Sequence, residues 1–101
     1  MTHLHVSACR GCGWRGFPER LWCPACGSDE LDSVRADVGV VEDATVLRRA
    51  PGRALDGPVR IGTVALAGGG RVVARLEAEP GEPVRLSVED GAPVARPDSR
   101  R

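Results

Sequence analysis

Residues 9–28 read CRGCGWRGFPERLWCPACGS and contain all four cysteines of the chain, arranged as two CxxC pairs. Ten residues separate the first pair from the second. Two such pairs at this spacing are typical of a zinc ribbon, in which four thiolates surround one Zn²⁺ tetrahedrally. The sequence therefore predicts a zinc site whose ligands are Cys9, Cys12, Cys23 and Cys26.

The residues beside the cysteines fit tight turns around a metal. Gly13 and Gly27 directly follow the two pairs, and glycine tolerates the left-handed backbone that such a turn needs. Pro24 restricts φ in the second turn. Because four thiolates leave no open position on a tetrahedral ion, we expect the zinc to be structural and not catalytic.

Other uses of the four cysteines stay open at this point. Tetrahedral sulfur ligands suit iron as well as zinc. Two disulfides are a common use of four cysteines in a small secreted protein, but no segment of this sequence resembles a secretory signal. A redox CxxC pair does not explain why two pairs occur at ribbon spacing.

The overall composition does not indicate binding to nucleic acid or to a membrane. The chain has 101 residues and a formal net charge of zero, with 14 basic and 14 acidic side chains. It therefore lacks the basic excess that attracts nucleic acid. No apolar run approaches the about 20 residues that span a bilayer, so we expect no membrane association. With no export signal and four expected thiolates, we expect a cytoplasmic protein.

Short alternating segments after the ribbon predict β-strands. Apolar and polar residues alternate over 38–40, 59–63, 72–77 and 84–89, with the period of two that is typical of half-buried strands. The triple glycine at 68–70 predicts a hairpin. We therefore expect a mainly β protein, with an N-terminal zinc ribbon of four cysteine ligands followed by a small OB-fold, which is a five-stranded Greek-key barrel.

The pattern also predicts how the chain is divided. We expect a flexible leader over residues 1–8, the zinc ribbon over 9–36, the OB-fold barrel over 37–95 and a disordered tail over 96–101. The leader contains His3 and His5, the only histidines of the chain. The fifth barrel strand has to come from residues 92–95, which are poor strand formers because they include a proline.

Three aromatic residues lie between the cysteine pairs, and the chain has no others: Trp14, Phe17 and Trp22. One interpretation is a small apolar cluster over the metal site, since a small domain has little other core material. The other interpretation is that at least one of them faces a partner protein, because aromatic residues anchor interfaces.

The ribbon stretch resembles a known family through its two CxxC-Gly turns, the Phe17–Pro18 pair, and the Cys-Pro-x-Cys-Gly-Ser run that ends at Ser28. That family is the acyl-CoA-associated OB-fold proteins with an N-terminal rubredoxin-like zinc ribbon. The similarity continues, more loosely, into the barrel over residues 45–51, 57–66, 70–76 and 90–94.

The resemblance implies a non-catalytic accessory subunit. Members of this family pair with thiolase-like or ketosynthase-like enzymes, or with hydratase and aldolase partners, that act on acyl-CoA. In that setting the chain would help assemble or cover the acyl-CoA or acyl-carrier site, and the partner would supply the bond-making chemistry. Trp14, Phe17 or Trp22 would then contact the partner.

Arginines near the first barrel strand are candidates for contact with CoA phosphates. Arg48, Arg49 and Arg53 lie beside a loop rich in proline and glycine, and the planar guanidinium suits phosphate recognition. The alternative is that these arginines are solvated charges at a strand end, matched by nearby aspartates.

Two other functions stay open at this stage. OB barrels and zinc ribbons also bind single-stranded nucleic acid, but residues 37–101 lack the aromatic side chains on which bases stack and have no net charge. A stand-alone zinc-stabilised adaptor is the other alternative. No convincing catalytic set is visible, because the cysteines are expected to bind metal and both histidines lie near the start of the chain.

Overall fold

A computed structural model describes residues 2–47 and 58–98 of the chain. These two ranges contain ten strands and no helix, and accordingly no helix that could cross a membrane. The strands are β1 Thr2–His3, β2 His5–Cys9, β3 Arg15–Gly16, β4 Leu31–Arg35, β5 Val38–Val41, β6 Thr45–Leu47, β7 Val59–Leu66, β8 Arg71–Leu76, β9 Pro83–Glu89 and β10 Ala92–Pro97.

Five of the strands close into a barrel. The hydrogen-bonded order runs β5-β7-β8-β10-β9, and β9 pairs back to β5. All of these pairs are antiparallel except β8 with β10, which is parallel. This order is a Greek-key arrangement with no open edge, so the predicted OB-fold is confirmed. The short strand β6 extends the sheet beside β7.

The barrel core follows the alternation seen in the sequence. Along β8, Val72, Ala74 and Leu76 are buried, while the residues between them are exposed. The turn at Gly68–Gly70 joins β7 to β8 as predicted, with the Leu66 N–H donating to the Gly70 carbonyl at 2.9 Å. Since branched aliphatic side chains line the interior, the hydrophobic effect provides the main stabilisation of this region.

The ribbon forms a second, three-stranded sheet in the order β3-β2-β4. Strand β2 is its centre and pairs antiparallel with both neighbours. The two sheets meet where the chain passes from β1, which pairs with β9 of the barrel, into β2. The ribbon is therefore joined to the barrel by its first strands as well as by the β4–β5 connection.

The prediction of a flexible leader over residues 1–8 differs from the structure of residues 2–8. These residues supply β1 and most of β2, and Leu4 and Val6 are fully buried in the barrel core cluster. The physical reason is visible in the sequence, because Leu4, Val6 and Ala8 alternate with polar residues in the period of two of a strand. An N-terminal segment is ordered when it is tied into a sheet in this way.

The expected boundary between barrel and tail at residues 95 and 96 also differs from the structure. Strand β10 continues to Pro97, and Asp98 still donates its N–H to the Pro83 carbonyl at 3.1 Å. Val94 and Ala95 are buried between β8 and β9. The segment forms a strand despite its prolines because it is paired on both sides, which outweighs its weak local preference.

Candidate metal centre and adjoining surfaces

The first CxxC pair lies in a tight turn that follows β2. The Cys9 N–H donates to the Trp14 carbonyl at 2.8 Å, and the Gly13 N–H donates to the Cys9 carbonyl at 3.1 Å. Gly13 has φ of 83°, in the left-handed region that glycine occupies without a steric penalty. The turn thus brings the sulfurs of Cys9 and Cys12 to the same side.

The second CxxC pair repeats this arrangement. The Cys23 N–H donates to the Ser28 carbonyl at 2.7 Å, and the Gly27 N–H donates to the Cys23 carbonyl at 2.8 Å. Gly27 has φ of 79°, close to the value of its counterpart in the first turn. The Ala25 N–H also points at the Cys23 sulfur, 3.3 Å away. The two turns are therefore equivalent halves of one site.

The four sulfurs form a compact cluster. All ligand atoms of Cys9, Cys12, Cys23 and Cys26 lie within 4.8 Å of one another, and two of the separations, Cys9–Cys26 and Cys12–Cys23, are 3.6 Å. A zinc ion with sulfurs at about 2.3 Å separates them by about 3.8 Å on a tetrahedron. All four cysteines are free, and 3.6 Å is far beyond a disulfide bond of about 2 Å. The donor set fits a tetrahedral metal ion.

The surroundings of the sulfurs differ between the two cysteines of each pair. Cys9 and Cys23 are buried, whereas Cys12 and Cys26 are exposed. A hydrogen bond from the Cys12 backbone N–H is the main cause that lowers the pKa of the Cys9 thiol to about 7. Hydrogen bonds with the neighbouring thiols have the opposite effect at Cys12 and Cys26, whose pKa values are raised. The identity of the metal as zinc stays a prediction.

The three aromatic residues of the ribbon occupy three different environments. Phe17 is partly buried and packs against the barrel core. Trp14 is half-buried, with its ring so close to Gly16 that a Cβ there would lie 2.4 Å from it. Trp22 is 62% exposed, beside Leu21 at 83%. Of the three candidates for partner contact, only Trp22 is presented largely to solvent.

A surface that the sequence analysis did not single out surrounds Trp22. Arg20, Leu21 and Trp22, which we call the ribbon tip, line a shallow cavity of about 190 Å³. The Arg20 N–H donates to the Ser7 hydroxyl at 2.8 Å, which ties the tip to β2. The signal for this surface in the sequence was the adjacent pair of large apolar residues, Leu21 and Trp22, directly before the second CxxC turn.

Among the residues that the structure describes, the histidines and Ser7 do not form a catalytic arrangement. His3 lies on β1, where its Nδ1 is 3.2 Å from Asp37, and His5 is exposed on β2. Ser7 uses its hydroxyl as an acceptor for a backbone N–H. Arg48, Arg49 and Arg53, the candidates for CoA phosphate contact, lie outside the described residues.

Comparison with known proteins identifies the family. Residues 34–96, more than half of the chain, match the model of the family described as "ChsH2, C-terminal OB-fold domain". The chain belongs to this family of ChsH2-like OB-fold proteins. No curated protein matches it significantly.

Two solved structures show the same architecture over nearly the whole chain. A structure described as "Ltp2-ChsH2(DUF35) aldolase" is 31% identical, with a TM-score of 0.67, over 94% of this chain and 84% of that chain. A protein of unknown function from the DUF35 family of Sulfolobus solfataricus is 20% identical, with a TM-score of 0.63, over 95% of this chain and 76% of that chain. The second similarity concerns the fold alone.

Proposed function

We propose that this chain is a non-catalytic accessory subunit that binds a thiolase-like or ketosynthase-like enzyme and helps assemble or cover its acyl-CoA or acyl-carrier site. The observation that carries the proposal is the 31% identical similarity, over 94% of this chain, to a structure described as an aldolase of Ltp2 and ChsH2(DUF35). A chain that resembles one component of a two-component enzyme throughout its length is expected to have a component of its own to bind.

The ribbon tip supports a role in binding another protein. Leu21 and Trp22 expose 83% and 62% of their surface, although burying a tryptophan side chain is strongly favourable. Tryptophan and arginine are the residues most enriched at the centres of protein interfaces. The tip carries both, and it lies between the cysteine cluster and the hydrogen bond from the Arg20 N–H to the Ser7 hydroxyl.

The chemistry of the described residues is consistent with a partner that performs catalysis. The four cysteines converge on one site suited to a structural metal. His3 faces Asp37, which is also bound by Arg35 through its Nε at 2.9 Å. These groups support the fold, and we assign the nucleophile and the proton transfers to the partner enzyme.

Contact between this chain and CoA is a further part of the proposal. Arg48, Arg49 and Arg53 remain candidates for binding the CoA phosphates, on the basis of their chemistry and their place in the sequence. Replacing all three with alanine should weaken CoA binding several-fold, measured by calorimetry on the assembled complex. Unchanged affinity would remove them from the site.

The test of the partnership is affinity capture of the tagged full chain from native lysate, followed by mass spectrometry. We expect a thiolase-like or ketosynthase-like protein in near-equal amount. Trp22→Ala should reduce its recovery about tenfold or more, as removal of a central interface aromatic does. Val73→Ala is the matched control, because Val73 on β8 is exposed to a similar extent, 63%.

Two results would contradict the proposal. One is recovery of the chain alone, with nucleic acid, or with an enzyme that does not act on acyl thioesters. The other, which bears only on the ribbon tip, is equal recovery of the partner by the Trp22→Ala and Val73→Ala chains.

A further inference from the structure

The chain covers the four cysteines of the metal centre to different extents. Cys9 and Cys23 are 5% and 1% exposed, whereas Cys12 and Cys26 are exposed. Coordination to a metal keeps each ligand sulfur as a thiolate, so the access of a reagent decides which of them reacts first. The exposed cysteines are therefore the side from which a reagent in solution reaches the centre.

The two turns also differ in the residue that precedes their second cysteine. This residue is Gly11 in the first turn and Ala25 in the second. A Cβ added at Gly11 would lie 3.7 Å from the Cys9 sulfur and 3.9 Å from the Cys26 sulfur, which is ordinary van der Waals contact. Because glycine has no Cβ, this place beside the two sulfurs is left without a side chain.

The second turn has a side chain at the equivalent place. The two turns share the same pattern of backbone hydrogen bonds, and the Ala25 N–H donates to the Cys23 sulfur at 3.3 Å. We therefore expect the Ala25 methyl group to lie beside the sulfurs of Cys23 and Cys12, as a Cβ at Gly11 would lie beside the other two. Among the four cysteines, Cys26 then combines exposure with the lack of a covering methyl group.

A second thiolate lies within reach of Cys26. The Cys9 sulfur is 3.6 Å from the Cys26 sulfur, and a disulfide bond of about 2.05 Å needs only a small approach of the two sulfurs. Cys9 is itself shielded from solvent, so it is poorly placed to meet an oxidant directly. It is well placed to react with Cys26 once that sulfur is oxidised.

We propose that Cys26 is the oxidation site of the metal centre and that Cys9 converts the oxidised sulfur to a disulfide, with hydrogen peroxide as the oxidant. The Cys26 thiolate attacks one peroxide oxygen, the O–O bond breaks, and the departing hydroxide takes up a proton to become water. The Cys9 thiolate then attacks the sulfenic acid on Cys26, the S–O bond breaks, and a second hydroxide leaves and is protonated to water. Two electrons pass from the sulfurs to the peroxide.

Loss of two thiolates from the site releases the metal ion. A disulfide sulfur is not the thiolate that binds metal, and the two remaining cysteines do not complete a tetrahedral site. Residues 37–98 contain no cysteine, so the barrel does not take part in the reaction. Oxidation therefore acts on the ribbon alone, as a switch of its metal-bound state, and this inference does not rest on the proposed partnership with an enzyme.

The test is limited oxidation of the full, zinc-loaded chain with hydrogen peroxide. Released zinc is followed with a chromogenic chelator, and tryptic peptides are mapped without reduction by mass spectrometry. Cleavage after arginine places Cys9 in residues 1–10 and Cys26 in residues 21–35. We expect zinc release to parallel the formation of a disulfide that links these two peptides, with fragmentation assigning it to Cys26. Dithiothreitol with added zinc should restore the site.

Two matched variants keep all four cysteines. Gly11→Ala adds the missing methyl group in ordinary contact with the sulfurs, at a position whose φ is not left-handed. It should bind zinc as the unaltered chain does and release it several-fold more slowly under peroxide. Ala25→Gly removes the methyl group from the second turn, so its zinc release should be at least as fast as in the unaltered chain.

Three results would overturn the proposal. One is retention of zinc under peroxide, a loss of zinc that dithiothreitol does not reverse, or a first disulfide that does not include Cys26. Another is zinc release from the Gly11→Ala chain that is as fast as from the unaltered chain, or faster. The third is slower release from both variants, which would show that any change in the turns has this effect.

Discussion

The ribbon and the barrel reach a fixed structure by different physical means. The barrel encloses a continuous cluster of valine, leucine and alanine side chains, whereas the turns of the ribbon hold four cysteines around a common point. Between the metal-binding turns, Leu21 and Trp22 are exposed. The barrel is thus a hydrophobic fold, whereas we expect the outer ribbon to depend on metal coordination.

This difference explains where large apolar side chains stay exposed. Because the barrel buries most of its large apolar side chains in its own core, few of them remain exposed for contact with another protein. A metal ion held by the four cysteines would fix the ribbon backbone without burying its side chains, so that Trp22 can stay exposed. We therefore expect that damage to one region leaves the other largely intact.

The largest effect is expected from loss of the metal. Cys23→Ser, or removal of the metal by a chelator, should lower the metal content from about one ion per chain to near zero. In zinc-binding peptides this coordination contributes about 10–16 kcal/mol to folding. Amide exchange should accelerate over residues 10–30, as measured by mass spectrometry, while β7 and β8 stay protected. Equal loss of protection in both regions would show that they do not differ in this way.

A core substitution in the barrel should destabilise the barrel and leave the metal site of the ribbon intact. Leu86 on β9 is 1% exposed, and truncation of a buried leucine to alanine costs about 2–5 kcal/mol. Leu86→Ala should therefore lower the melting temperature clearly and leave the metal content near one ion per chain. A variant that loses its metal at room temperature would show that ribbon and barrel are not separable.

Glycine substitutions should change the free energy of unfolding in the two regions by smaller amounts. Gly62 on β7 faces backbone, because a Cβ there would lie 2.0 Å from the Asp43 carbonyl oxygen. Gly62→Ala should destabilise the barrel by about 3 kcal/mol, the upper end of the usual cost of overpacking, because a backbone oxygen cannot rotate away as a side chain can. Gly27→Ala has open space around it and a φ of 79°, so we expect only the cost of left-handed alanine, about 1–2 kcal/mol. Urea unfolding measures the difference, and an equal or reversed order would contradict it.

The smallest expected effect concerns pH and the link between the two regions. Burial opposes ionisation of Asp37, but the hydrogen bond and charge of Arg35 outweigh it and hold the pKa of this carboxyl below its ordinary value. A lowered pKa contributes stability above the pKa of the unfolded chain, about 3.9, and this stability is lost as pH falls through the folded value.

Asp37→Asn should therefore be less stable than the unaltered chain at pH 7, and the difference should shrink as the pH falls below about 4 toward the lowered pKa of the folded chain. Chemical unfolding at several pH values measures it. Asp29→Asn is the matched control, since Asp29 is exposed and forms no ion pair with the described residues. A difference that grows toward acidic pH would have the wrong sign and would contradict the account.

Much of the fold and the metal centre could be predicted because the signals are local. The CxxC spacing fixes which sulfurs converge, and the sulfurs do converge. Period-two alternation along the barrel strands fixes which side chains face inward. The glycine run at 68–70 marks the hairpin, and the structure has the turn there.

The errors arose where pairing between distant segments decides the structure. Leu4 and Val6 are buried because β9 and β4 pair with β1 and β2; the alternation near the start of the chain indicates a strand but does not indicate which strands pair with it. Residues 92–97 form a strand because β8 and β9 flank them. Local preference alone gives the opposite answer at Pro93 and Pro97.

The sequence also could not separate Trp22 from Trp14 and Phe17, because only the relation of ribbon to barrel determines which ring is covered.

The most direct test of the central claim is reconstitution of activity. The enzyme captured by the full chain is purified separately, and its turnover of acyl-CoA is measured alone, with this chain, and with the Cys23→Ser chain. We predict no turnover by this chain alone, a marked rise in the turnover or stability of the enzyme when the metal-loaded chain is added, and little rise with Cys23→Ser. Turnover by this chain alone, or an enzyme unaffected by its addition, would contradict the account.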